Sequence, residues 1–68
     1  MTAREMFESL GYECCKSDIM IEYSWDNENI VFWIDEHKLT SSWYGEPKGI
    51  DVDEFKAIQQ QMRELGWI

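Results

Sequence analysis

Asn29-Ile30-Val31-Phe32-Trp33-Ile34-Asp35 sets five β-branched or aromatic apolar residues in a row between an amide and an acid. Such a run, apolar at odd and even positions alike, is the pattern of a strand buried on both faces near the middle of a sheet. The neighbouring segments are arranged to pair with it or to cover it. On the N-terminal side, Ile19, Ile21, Tyr23 and Trp25 alternate with Met20, Glu22 and Ser24, which predicts a half-buried strand. The polar stretch Asp26-Asn27-Glu28-Asn29 is read as a four-residue turn that makes the two strands an antiparallel hairpin. On the C-terminal side, His37-Lys38 is a second tight connection, and Leu39–Tyr44 is a third strand, polar at its middle and so nearer an edge. Gly45–Gly49 closes the sheet, and Tyr12–Ser17 adds a short edge strand or remains a connection.

Two helices flank these strands. Thr2-Ala3-Arg4-Glu5 is a capping box followed by apolar residues Ala3, Met6, Phe7 and Leu10, which predicts a helix over 3–10. Gly11 is its left-handed stop, with Tyr12 folding back onto Phe7. Asp51-Val52-Asp53-Glu54 is a second capping box. Phe55, Ile58, Met62 and Leu65 form the apolar stripe of a helix over 52–65, while Gln59, Gln60 and Arg63 face water. Gly66 ends this helix, and Trp67 folds back onto Met62. The expected architecture is therefore α+β: one domain over residues 1–68, ordered α-β-β-β-α. Its antiparallel sheet has three strands, or four if Tyr12–Ser17 joins, with the helices on one face.

Composition narrows the function. The 68 residues carry 14 acids against 6 Lys and Arg, a net charge of −8. That field repels nucleic acid and anionic lipid and suits a basic protein partner. Cys14 and Cys15 are adjacent, and a disulfide between sequence neighbours closes a strained ring, so both are expected as free thiols in a reducing cytoplasm. Met1–Glu5 has no apolar run suited to a secretion signal, and no stretch approaches the ~18 apolar residues of a membrane span.

No residue pattern declares an enzyme. Cys14 or Cys15 with His37 provides the elements of a thiolate pair, but so short a chain has little concavity for an oxyanion site. The acid clusters Asp35-Glu36 and Asp51/Asp53/Glu54 are a strand end and a helix cap. Cys14, Cys15 and His37 are the candidate zinc ligands, although strand neighbours point to opposite faces and neither Cys-x-x-Cys nor His-x-x-x-His is present. No other cofactor is implied. The sheet face away from the helices is the candidate partner surface. Met20, Val31, Trp33 and Trp43 are expected to stand together there, rimmed by Glu22, Asp35 and Glu36.

The frame Met1-Thr2-Ala3-Arg4-Glu5-Met6-Phe7-Glu8, Leu10-Gly11-Tyr12, and Ala57-Ile58 through Glu64-Leu65-Gly66-Trp67 resembles a family of small phage and prophage proteins of low-GC Gram-positive bacteria. The resemblance covers both helices; the middle matches only in pattern, and Cys14-Cys15 and the Trp-bearing third strand are departures from it. It implies a mobile-element setting in a host cytoplasm and no catalytic residues. Small acidic phage proteins in such genomes include anti-CRISPR inhibitors of RNA-guided nucleases, whose nucleic-acid channels are basic. The expected function is then a non-enzymatic inhibitor of such a nuclease. The alternatives are a homodimeric accessory phage protein and a small zinc-binding module.

Overall fold

The apolar run becomes β3, the middle strand of a five-stranded antiparallel sheet of order β1-β2-β3-β4-β5. The computed structural model describes residues 1–68 as α1 (Ala3–Ser9), β1 (Glu13–Lys16), β2 (Met20–Trp25), β3 (Glu28–Trp33), β4 (Lys38–Trp43), β5 (Glu46–Pro47) and α2 (Val52–Glu64). The α+β class and the helix–sheet–helix order follow the sequence. Within Tyr12–Ser17 the edge-strand alternative holds, as β1, and β5 is an additional strand at the other edge. No helix is long and apolar enough to cross a membrane.

The connections differ from their sequence reading: the expected tight turn His37-Lys38 is instead the four-residue connection Ile34–His37, with Lys38 already in β4, while the other two hairpins are tighter than their composition suggested. Asp26 and Asn27, at φ of 45° and 65°, form a two-residue turn by themselves, and Glu28 and Asn29 already belong to β3. Both types tolerate the left-handed region, and paired positive φ values match the right-handed twist of the flanking strands. Tyr44 and Gly45, at 51° and 79°, do the same between β4 and β5. The sheet edges differ: β5 is only two residues long and ends in Pro47, which has no N–H to offer, whereas β1 leaves a four-residue flank unpaired.

Both helices lie on the face that carries Ile21, Tyr23, Ile30 and Phe32. With Phe7, Tyr12, Ala57 and Ile58 these residues form the core. Phe7 stacks on Tyr23 at 3.9 Å between ring centroids, and Phe32 meets both rings edge-on. Each fully buried ring contributes about 2–3 kcal/mol of apolar transfer, which matters in so small a core. Both capping boxes are formed: Thr2 and Asp51 each accept the N–H of the glutamate three residues on, and each glutamate accepts the cap N–H in return. Both glycine stops are formed too, with Tyr12 N–H donating to the Phe7 carbonyl and Trp67 N–H to that of Met62.

Three expected core positions are corrected. Phe55 is exposed, because the inward stripe of α2 is Glu54, Ala57, Ile58 and Gln61. The two polar members are tolerated because tyrosine hydroxyls satisfy them: Tyr12 donates to Glu54, and Tyr23 donates to Gln61 Oε1 at 2.6 Å. On β2, Ile21 and Tyr23 are buried as expected, but Trp25 at its end and Ile19 just before it lie beyond the cover of the helices and are exposed.

Candidate functional site

The turns Asp26-Asn27 and Tyr44-Gly45 project from one end of the sheet. There Trp25, Glu28 and Trp43 lie side by side on β2, β3 and β4 and point to the helix face. The helices stop short of this end, so both tryptophans remain 52% exposed. With Leu10, Tyr12, Lys48, Gly49, Ile50, Asp51 and Glu54 they line an open cleft of about 600 Å³. The Trp25 indole is turned toward Gly11, where an added Cβ would meet it at 3.6 Å, and Trp43 meets Tyr44 edge-on at 5.0 Å.

The floor of the cleft is a charged network. Lys48 Nζ donates to Glu54 Oε2 at 3.0 Å, to Glu28 Oε1 at 3.2 Å and to the Tyr12 hydroxyl at 3.3 Å. Tyr12 in turn donates to the same Glu54 oxygen. Desolvation pushes the Glu54 carboxyl up, but Tyr12, the Asp51 N–H and Lys48 together outweigh it and hold the group below the ordinary carboxylate range. Burial and the Glu54 carboxylate push the Tyr12 hydroxyl up to about 12. Lys48 loses from burial but gains more from its three acceptors, and so stays charged well above its ordinary range. Lys48 therefore does not neutralise the cleft: the lining carries Glu28, Asp51 and Glu54 against one ammonium. Glu28 Oε1 takes Lys48, while Glu28 Oε2 accepts no hydrogen bond.

No protein-family model, curated protein or solved structure matches this chain. The site is characterised by its own geometry.

The sequence-predicted residues divide into three groups. Met20 stands directly opposite Trp33, and Glu22 directly opposite Val31, on the sheet face that bears no helix. Val31 is buried among its neighbours, Met20 and Trp33 are half-buried, and the Trp33 indole N–H donates to Thr40 Oγ1 at 3.3 Å. Asp35 and Glu36 are exposed in the β3–β4 connection, at the Met20–Trp33 end of that face. Trp43 does not join them, which corrects the sequence expectation. The four-residue connection Ile34–His37 pairs odd-numbered β3 residues with even-numbered β4 residues, so Thr40 and Lys38 share the open face and Trp43 falls on the helix face.

The candidate zinc ligands are not gathered. Cys14 and Cys15 take opposite faces of β1, and His37 stacks on Trp67 at 5.1 Å in the β3–β4 connection. No group of three or more His, Cys, Asp or Glu residues is placed to hold a metal ion.

Sequence reasoning missed the cleft because each residue that builds it also fits a plain local role. Trp25 read as core, Glu54 as a cap, Lys48 as a loop residue and Glu28 as a turn residue. One signal was available: two tryptophans at the ends of strands beside short turns lie beyond the reach of helices packed on the sheet's middle.

Proposed function

We propose that this protein is a non-enzymatic binding module that docks onto a basic protein surface. Its favoured setting is that of a phage-encoded inhibitor that obstructs nucleic-acid loading by a host RNA-guided nuclease. The observation that carries the reading is the end of the sheet where Trp25, Trp43, Tyr44 and Ile50 stand exposed beside Glu28, Glu46 and Asp51. Large exposed rings supply contact area, and neighbouring acids select a partner of opposite charge. The net charge of −8 steers the whole molecule toward such a partner and away from nucleic acid itself. A nuclease channel built to hold a polyanion presents that kind of basic surface. The phage-like frame at both chain ends supports the mobile-element setting.

The test is co-purification with a purified RNA-guided nuclease at low and moderate salt, followed by a DNA-loading assay. Retention that weakens with salt, together with reduced loading, is expected; absence of retention even at low salt refutes the reading.

A second reading has an observation of its own. Met20, Val31 and Trp33 form an apolar strip on the helix-free face, and self-pairing through it gives a homodimeric accessory protein. Light scattering separates the two readings. A tight dimer that Trp33→Glu converts to a monomer favours self-association.

A further inference from the structure

Resting on the basic-partner reading, we propose that the cleft between Trp25 and Trp43 receives an arginine side chain of the partner, with Glu28 Oε2 as its anchor. Three observations converge on this. First, the register places Glu28 on β3 with Trp25 on one neighbouring strand and Trp43 on the other. The two tryptophans are thus each one strand spacing, ~5 Å, from Glu28 backbone to backbone and flank it on the helix face, where their rings are open to a cation. Second, the site already holds one cation. Lys48 Nζ uses Glu28 Oε1, Glu54 Oε2 and the Tyr12 hydroxyl, and Glu54 Oε1 is occupied by the Asp51 N–H. Glu28 Oε2 is thus an unused acceptor between the two tryptophan-bearing strands, as Asp51 Oδ2 is at the α2 cap. Third, three carboxylates against one ammonium leave the lining negative after Lys48 is counted, so charge favours a further cation and opposes an anion.

Arginine fits better than lysine for geometric reasons. A guanidinium is planar and weakly hydrated. It can lie flat on an indole while one N–H edge meets the carboxylate, whereas an ammonium is a hydrated point charge with no flat face to stack.

The test uses the whole chain labelled with ¹⁵N and three capped peptides, alternating glycine with arginine, lysine or neutral citrulline. Each of the four tryptophans gives one indole N–H signal, so the location of binding is read directly. The arginine peptide is expected to move the Trp25 and Trp43 signals and leave Trp67 in place. It should bind several-fold tighter than the lysine peptide, and the citrulline peptide should not bind. Glu28→Gln retains the shape and an acceptor for Lys48 but removes the charge. It and Trp43→Ala should each weaken the arginine peptide about fivefold or more. Trp33→Ala, on the opposite face of the sheet, should leave it unchanged. Shifts confined to Trp33, or equal affinity in Glu28→Gln, Trp43→Ala and the parent, overturn the arginine slot while a basic partner elsewhere on the surface survives. Failure of both basic peptides and of the basic nuclease to bind at low salt overturns the slot and the basic-partner reading together.

Discussion

Lys48 Nζ stands 3.0 Å from one carboxylate and 3.2 Å from another, so removing it leaves Glu54 and Glu28 facing each other without a counter-charge. Lys48→Met should cost about 2 kcal/mol in urea unfolding, below the roughly 3–5 of a sealed ion pair because the cleft admits water. The same network sets the pH window. Glu54 is held below its ordinary value of 4.5, so its contribution is present above that pH and is lost as pH falls through the folded value. Tyr12 is raised from 10.0 to about 12, so its contribution is complete below pH 10 and is lost as pH rises toward 12. Urea midpoints measured across pH should therefore fall at both ends, and Tyr12→Phe should shrink the alkaline fall; an unchanged alkaline limb in that variant contradicts the assignment. At this scale the sequence disclosed Glu54 as a cap and nothing more. Its second role depends on Tyr12 and Lys48, which lie 42 and 6 residues away and meet it only through the fold.

Helix α2 separates what local pattern can reveal from what packing decides. Its cap, its glycine stop and its span were legible, because each depends on residues within one turn of the chain. Its inward face was not. Phe55 looked like a stripe residue and is exposed, while Gln61, which the stripe did not include, is buried against Tyr23. Ile58→Ala should therefore cost about 2–4 kcal/mol, and Phe55→Ser should stay within about 0.5 kcal/mol. Comparable losses in the two variants by chemical denaturation contradict the observed rotation of the helix. The outer strands follow the same division. Glu13–Lys16 was legible only as an edge strand or a connection, and Glu46–Pro47 not at all, because both are short and polar; pairing with β2 and β4 makes them strands. Trp43 was misplaced for a related reason: its face follows from pairing with Glu28 on β3, not from its own neighbours.

The molecule as a whole carries 14 acids and 6 Lys and Arg on a fold with a Cα radius of gyration of 11.0 Å. Repulsion among so many like charges at short range opposes compaction and is screened by salt. Raising sodium chloride from low ionic strength to about 0.3 M should lift the melting temperature by several degrees, on the scale of about 4–8 °C per kcal/mol for a domain of this size. A melting temperature that falls with salt instead means that its few ion pairs outweigh the repulsion. A separate consequence follows from the open flank of β1 along Glu13–Lys16. Two copies meeting there antiparallel across a two-fold axis make one continuous ten-stranded sheet, and each uses its only full-length free strand in doing so.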